Sequence, residues 1–544
     1  MAVALPSALT LRREGPVRGP VRRRPPGPLV LLPSLLVAGA LLLPVLYLGV
    51  RAAGADEGIW RLLVQPRTLR ILLRTVLLAS AVTASAVAVA LPLAWVTTRT
   101  DLPGARLWST LTVLPLAVPS FISGIIVATV FGPWGVVHHL ADRLGIALRP
   151  GGLYGFPGAW ITLTLVTYPY VLLSARAGLR GMDPALEEAA RTLGDGGWRA
   201  FCRVTVPHLR PWVGAGAVLV ALYVLSDFGA VSMMQFESFT TAIYLQYQAS
   251  FNRHYAAVLS LVLVAMASLI VLLEDRQGRG RFYRLRGTSR ALPPRRLGPW
   301  RWPALTLCGL ATVLGVLVPV GVIGYWLVVG VRQGEPLALA LRPAFRSLYA
   351  SVLAAGVTVV AALPVAILSV RHGGWLAGLI SRLTYAGFAL PGIVLALSLV
   401  FFAARYLPFV YQTLGLLIFA YAVHFLPQAL GPLRAGLAQV SPSQEEAAQT
   451  LGRSPFQVLR TVTLPLVRPG VVAAAALVFL TTMKELPATL LLGPTGFETL
   501  ATRIWSTATE GFFARAAAPA LMLLGFSSLS LWLLLAQERW RGEG

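Results

Sequence analysis

Twelve long apolar runs dominate the sequence and leave few folds open to it. Of 544 residues, 56% are hydrophobic and only 12% charged, and the mean hydropathy is +0.72. Runs of about twenty apolar residues can cross a bilayer as helices, whereas a membrane β-barrel shows short segments of alternating polarity. The sequence therefore predicts an all-α integral membrane protein with about twelve spans, near 29–50, 71–97, 108–131, 159–175, 212–233, 255–273, 304–329, 347–370, 383–403, 411–430, 470–492 and 516–536.

The net charge of +25 is carried mainly by arginines between the apolar runs. Nucleic-acid binding would also explain a basic chain, but this placement is typical of the cytoplasmic loops of a membrane protein. An even number of spans with the Arg-rich N-terminal tail inside puts both termini in the cytoplasm, with segment 51–70 as an Arg-bearing exception outside. A cleavable signal peptide is the competing interpretation of run 29–50, although a signal has an apolar core of only about 7–15 residues. The predicted cytoplasmic segments are 98–107, 176–211, 274–303, 371–382 and 431–469.

One polar stretch occurs twice. Residues 182–211 (MDPALEEAARTLGDGGWRAFCRVTVPHLRP) align without a gap with residues 440–469 (VSPSQEEAAQTLGRSPFQVLRTVTLPLVRP), at a constant offset of 258. Each copy lies between the fourth and fifth span of a six-span half, so the duplication is parallel and not inverted. We expect an Arg/Pro-rich tail, a first half, an Arg-rich linker, a second half and a short C-terminal tail, over 1–28, 29–273, 274–303, 304–537 and 538–544.

Each copy has the signals of two short helices joined at a glycine. Asp183-Pro184 and Ser441-Pro442 are helix-opening pairs, and Gln444 completes a Ser-x-x-Gln capping box. Gly194 and Gly452 are expected to end the first helix. A hairpin packed on its own helices would not explain two near-identical copies, and tethering between membrane helices argues against a DNA-reading helix-turn-helix. We expect two docking elements for two equivalent soluble partners.

The repeated EEAARTLG…VTVPHLRP and EEAAQTLG…VTLPLVRP resemble the EAA loop of permeases from binding-protein-dependent ABC importers. The resemblance covers most of the chain and implies the type I importer permease fold. It also implies two copies of an ATPase subunit on one permease chain, with ATP bound by those partners and no cofactor bound here. A periplasmic or lipid-anchored binding protein would deliver the substrate. The residues expected to couple the chain to the ATPases are Glu187, Glu188, Ala189, Ala190, Gly194, Glu445, Glu446, Ala447, Ala448 and Gly452.

Nothing in the sequence predicts catalysis by this chain. Lys484 is the only lysine and lies outside any phosphate-binding glycine loop. His138 and His139 are adjacent and cannot share one site on a regular helix, and Cys202 and Cys308 are too few for a cysteine metal site. We expect a membrane subunit without enzymatic activity or a metal centre of its own.

Three ionisable residues mark a predicted translocation path. Asp227 and Glu485 are 258 positions apart, late in the span after each repeat, and Lys484 adjoins Glu485. A charge at the bilayer centre costs around 2.5–3.5 kcal/mol on insertion scales, so these side chains should face protein or a wet cavity, unless they lie near enough to the surface to be hydrated. Pro115, Pro119 and Pro391 should bend or interrupt an early helix of each half.

The segments around these residues also resemble permeases for particular substrates. ALYVLSDFGAVSMM and KELPATLLL…FETLATRIW are most similar to fused ferric-iron permeases. Permeases for thiamine, polyamines and sulfate share parts of the pattern and remain alternatives. An ATP-independent secondary transporter or channel is the alternative from another class.

Overall fold

The computed structural model describes residues 26–54, 56–132, 142, 153–182, 184–248, 253–278, 295–335, 340–372, 374–387 and 390–542. Its regular structure is helical apart from an isolated bridge between Thr100 and Arg295. This confirms the all-α prediction. Asp183, the His138–His139 pair, the tail up to residue 25 and linker residues 279–294 lie outside the described residues.

Within the described ranges, ten helices are long and apolar enough to cross a membrane. An eleventh span is formed if Ala105–Ala117 and Ser120–Phe131, which meet at a bend of 93°, are counted together. The predicted run 383–403 is divided at Pro391, which has no N–H to continue a helix. The helix after it, Gly392–Tyr406, has 15 residues, fewer than the roughly 20 of a full span.

The first half contains twelve described α-helices: α1 (Pro28–Ala53), α2 (Glu57–Leu63), α3 (Pro66–Arg99), α4 (Ala105–Leu111), α5 (Ser120–Phe131), α6 (Phe156–Arg180), α7 (Pro184–Thr192), α8 (Gly197–Ala200), α9 (Val206–Ser226), α10 (Gly229–Met233), α11 (Phe239–Gln248) and α12 (Arg253–Gly278). A π-helical turn, Phe201–Thr205, joins α8 to α9. The helix after the first repeat therefore begins well before the predicted span at 212.

The second half repeats this order: α13 (Arg301–Thr312), α14 (Val318–Arg332), α15 (Leu341–Arg371), α16 (Trp375–Ala386), α17 (Gly392–Tyr406), α18 (Leu414–Gln439), α19 (Pro442–Thr450), α20 (Pro455–Val458), α21 (Leu464–Met483), α22 (Pro487–Leu492), α23 (Leu500–Thr509) and α24 (Phe513–Gly542). The π-helical turn Leu459–Thr463 lies 258 positions after its counterpart. The duplication seen in the sequence is therefore also a duplication of local structure.

The first helix of each half packs against the other half. On α1, the carbonyl of Pro44 accepts a hydrogen bond from Ser398 at 2.8 Å, and Tyr47 donates to the carbonyl of Phe401 at 3.2 Å. In the second half, Gly315 lies so close to Pro115 that a Cβ would be 2.4 Å from the proline ring. This exchange covers the interrupted helix of each half with a helix from the other.

Glycines hold together the two helices that flank each repeat. A Cβ on Gly216 would lie 2.7 Å from the Cα of Val171, and one on Gly470 would lie 2.8 Å from the carbonyl oxygen of Pro432. Small residues allow membrane helices to approach this closely and gain dispersion contacts. The helices before and after each repeat are therefore packed directly against each other.

Candidate coupling joints and substrate path

We call each repeat a coupling joint, the first comprising residues 184–205 and the second residues 442–463. In each, a nine-residue helix ends at a left-handed glycine, Gly194 with φ +93° and Gly452 with φ +82°. A second helix and the π-helical turn follow. The predicted helix–glycine–helix structure is confirmed in both copies.

The predicted capping box at Ser441 and Gln444 is wrong. The Ser441 side chain makes no cap, and its hydroxyl lies 2.6 Å from the hydroxyl of Ser443, which competes for it. The capping box lies instead at the start of the second helix. Gln457 Oε1 accepts from the Ser454 amide at 2.9 Å, while Ser454 Oγ accepts from the Gln457 amide at 3.4 Å.

The paired glutamates of each joint have opposite environments. Glu187 is only 5% exposed, whereas Glu188 faces solvent. Glu445 is half-buried, and Glu446 is exposed. Of the neighbouring alanines, Ala189 and Ala447 are exposed, Ala190 is half-buried and Ala448 is buried. The inner glutamate therefore attaches the joint to the membrane helices, and the outer one remains available to a partner.

Each joint also exposes a leucine just before its glycine. Leu193 is 89% exposed and Leu451 is 83% exposed. An isolated large apolar side chain on a surface is common, but these two recur at the same position of both joints, near an exposed glutamate in each. Leu193 therefore does not serve packing among the described residues.

In the second joint, Arg371 at the end of α15 binds Glu445. Its Nη2 donates to Glu445 Oε1 at 3.1 Å, and its Nε lies 3.1 Å from Oε2 as an ion-pair contact without hydrogen-bond geometry. Nη2 also donates to the carbonyl of Val440 at 2.9 Å, and Thr463 donates to Glu445 Oε1 at 2.9 Å. Burial is the largest influence on the neighbouring His372 and lowers its pKa, against the opposing effects of the Ile367 carbonyl and Glu445. The cation that contacts Glu445 is the Arg371 guanidinium.

In the first joint, an arginine of the linker binds the equivalent glutamate, Glu187. Glu187 Oε1 accepts from Arg295 and lies 3.4 Å from Arg191 Nη2. Arg99 lies 272 positions before Arg371, but its Nη2 donates instead to the carbonyl of Leu179 at 2.9 Å. The two joints therefore hold equivalent glutamates with arginines from different parts of the chain.

A second duplicated arginine lies deeper, in the helix before each joint. Arg176, 4% exposed, donates to Thr97 Oγ1 at 3.0 Å, to the Ser109 carbonyl at 2.7 Å and to Thr112 Oγ1 at 2.9 Å. Arg434, 258 positions later, donates to Ser369 Oγ at 2.6 Å and Ser381 Oγ at 2.8 Å. Each arginine thus ties the helix before a joint to the long helix and the interrupted helix of its half. Extending the repeat alignment six residues upstream would have revealed this pair.

Asp227 and Glu485 occupy equivalent helix breaks. Asp227 Oδ1 accepts from the amides of Ala230 at 2.9 Å and Val231 at 3.3 Å, which caps α10. Glu485 Oε1 accepts from the amide of Ala488 at 3.1 Å at the start of α22. Each carboxylate satisfies amides that a helix start leaves unpaired. Each acid therefore has a structural task, in addition to the place in a substrate path that the sequence predicts for it.

Lys484 connects the two halves. Its Nζ donates to the carbonyl of Leu116 at 2.9 Å, in the 3₁₀ turn Leu114–Ala117 that precedes the bend at Pro119. Gly392 lies on the other side of this region, where a Cβ would be 2.9 Å from Glu485 Oε1. Breaks from both halves thus converge around Lys484 and Glu485. Among the residues described, no three His, Cys, Asp or Glu side chains are grouped to hold a metal ion.

Comparison with known proteins identifies the family. A profile described as "Binding-protein-dependent transport system inner membrane component" matches residues 86–279 and 358–542, one match in each half. The chain belongs to this family. It is therefore a multi-pass inner-membrane permease subunit of the ABC importer class, and the expectation of a non-catalytic transport subunit is confirmed by this membership.

Individual relatives in this comparison are permeases for different substrates. The Fe(3+)-transport system permease protein FbpB 2 of Haemophilus influenzae is 36% identical over 521 residues, which cover 94% of this chain and 98% of that protein. The molybdenum transport permease ModB of Escherichia coli K12 is 32% identical over 213 residues, 37% of this chain and 91% of its own. The sulfate permease CysT of the same strain is 30% identical over 34% of this chain and 68% of its own length. The expected resemblance to ferric-iron permeases is confirmed.

Proposed function

We propose that this chain is the permease of a ferric-iron importer. The similarity to the Fe(3+)-transport permease carries the proposal, because it extends over both halves. The molybdenum and sulfate permeases match only about a third of the chain. Because the match covers 94% of this chain, it extends over both repeats and is not confined to one half.

We further propose that the joints face the cytoplasm and that each binds one ATPase subunit. From Arg295 the chain crosses once through Gly298–Arg332 and returns through Leu341–Arg371, which puts both joints on one side. That side holds most of the arginines between spans, as expected for the cytoplasm. Exposed Glu188, Leu193, Glu446 and Leu451 supply the polar and apolar contacts, while a periplasmic or lipid-anchored protein delivers iron opposite.

In this mechanism ATP-driven closure of the ATPase pair would draw the two joints together. Arg371 and Arg176 couple a joint, or the helix leading to it, to the long helix of its half. The displacement reaches the interrupted helices, whose bends lie beside Lys484 and Glu485, and opens the interface between the halves. Asp227, Lys484 and Glu485 remain the proposed polar lining of the path.

Transport of radioactive Fe³⁺ into proteoliposomes tests the proposal. The vesicles would contain this permease, its cognate ATPase subunit and, on the outside, its cognate binding protein. We expect uptake that requires ATP and the binding protein and is not reduced by excess thiamine, spermidine, sulfate or molybdate. Competition by one of these would replace iron with that substrate, and uptake without the ATPase would support the ATP-independent transporter instead.

The number of ATPase subunits is measured separately by native mass spectrometry of the purified complex. We expect one permease chain with two ATPase subunits. A complex with two permease chains would contradict the proposal that each joint of one chain binds its own ATPase.

A further inference from the structure

The linker end that follows the first half is docked at the first coupling joint. The Arg295 amide donates to the carbonyl of Arg99 at 2.9 Å, and the Asp101 amide donates to the carbonyl of Arg295 at 3.0 Å. The Leu297 amide donates to Asp101 Oδ1 at 2.8 Å. Three backbone-anchored hydrogen bonds thus fix residues 295–297 beside the end of α3, where side-chain contacts alone would leave the segment free to shift.

This docking places the Arg295 side chain between two groups. Its guanidinium binds Glu187 and lies 5.4 Å from the centre of the Trp95 ring. Trp95 in turn packs edge-on against Phe201 of the first joint, with ring centres 4.7 Å apart. A guanidinium gains electrostatic energy from both a carboxylate and an aromatic face. Arg295 is therefore anchored to the joint at two points.

The second half shows what the first joint would look like without the linker. There Glu445 is held by Arg371 and Thr463. Their counterparts in the first half are Arg99, at the offset of 272, and Thr205, at the offset of 258. Thr205 Oγ1 is buried and has no hydrogen-bond partner in the described structure. A complete second set of partners for Glu187 is therefore present and is not bound to it.

We propose that Arg295 is a positioning residue for the first coupling joint, and that linker residues 295–297 form a latch on it. In the latch, Arg295 binds Glu187 in place of Arg99 and Thr205. The latch also connects the joint to the helix that begins the second half. That helix runs through Gly298–Arg332 and contacts Pro115 of the first half at Gly315. Force on the first joint thus reaches both halves, whereas Arg371 ties the second joint to its own half. This role in transmission rests on the proposed coupling function.

The latch itself is tested without ATP or substrate, by hydrogen–deuterium exchange of the full chain in lipid nanodiscs. We expect Arg295→Ala to speed exchange in 184–193 by about 3- to 10-fold and to leave 442–450 unchanged. Arg296→Ala is the matched control, because the exposed Arg296 side chain supplies none of the hydrogen bonds described for the latch. Arg295→Ala with Arg99→Ala should exceed the single change, since it removes the spare partner too. Equal exchange in the Arg295→Ala and Arg296→Ala proteins would overturn the latch.

The positioning role is tested in the reconstituted complex by counting ATP hydrolysed per substrate transported. Arg295→Ala should raise this ratio about 3-fold or more, and Arg295→Lys should restore part of it, because a lysine keeps the charge but loses the fork. Arg296→Ala should leave the ratio unchanged. An unaltered ratio in the Arg295→Ala complex, with faster exchange at 184–193, would overturn the positioning role. Failure of iron uptake in the unmodified complex would instead count against the proposed function.

Discussion

Replacing Gly194 by alanine tests whether the first joint depends on its left-handed turn. At φ +93° a residue with a Cβ is strained by about 1–2 kcal/mol, and the entropy lost by the unfolded chain offsets roughly 0.4–1 kcal/mol of this. We therefore expect a net cost of about 0.5–1.5 kcal/mol, or roughly a 2- to 10-fold higher population of the opened joint. Exchange of the 184–193 amides measures that population.

Two comparisons make this test specific. Gly196 lies in the same loop, has no strained φ and has no atom within 4 Å of the position that a Cβ would take, so Gly196→Ala should not speed exchange. Gly194 also has open space around it, so Gly194→Leu should match Gly194→Ala in the permease alone and become worse only when an ATPase occupies that space. Identical exchange in the Gly194→Ala and Gly196→Ala proteins would refute the reasoning, as would a leucine effect that does not depend on the ATPase.

Three further changes test the interior. Lys484→Met removes the donor to the Leu116 carbonyl and should lower uptake while the protein still inserts; normal uptake would show that this link between the halves is dispensable. Asp227→Asn should keep the thermal stability because the amide oxygen can still cap α10, whereas Asp227→Ala should lower the free energy of unfolding by about 1 kcal/mol. Loss of uptake in the stable Asp227→Asn protein would show that the charge itself serves the substrate. Arg176→Ala removes three hydrogen bonds from a charged donor and should lower the free energy of unfolding by about 2–4 kcal/mol. The purified permease should then melt at a lower temperature. An unchanged melting temperature would contradict the proposed role of Arg176 in holding the helices together.

The sequence was most informative where the chain obeys local rules. Apolar length predicted the long helices, and the glycines of the repeats predicted where the joint helices end, because both depend on neighbouring residues alone. The divided run at 383–403 shows the limit, since hydropathy averages over Pro391 and does not register the break. The misplaced capping box has a similar origin, because Ser443 is a local competitor that the motif does not include.

The site could be predicted only in part because its polar contacts join distant segments. Glu187 and Glu445 look identical in the repeat, yet one is bound from the linker 108 residues away and the other from α15, 74 residues away. Asp227 and Glu485 look like ligands in sequence because a buried acid usually has a function. Only the structure shows that both carboxylates already accept hydrogen bonds from nearby backbone amides.

Fusion of the two halves explains why the joints can differ. A linker residue in the same chain is held near the first joint at a high effective concentration, and docking of 295–297 through the backbone raises it further. Two separate permease subunits joined as an identical pair would hold both glutamates in the same way, as Arg371 holds Glu445. A fused chain can keep that arrangement at one joint and let the linker take over the other. Arg99 and Thr205, neither of them bound to Glu187, still occupy the positions that Arg371 and Thr463 have at the second joint.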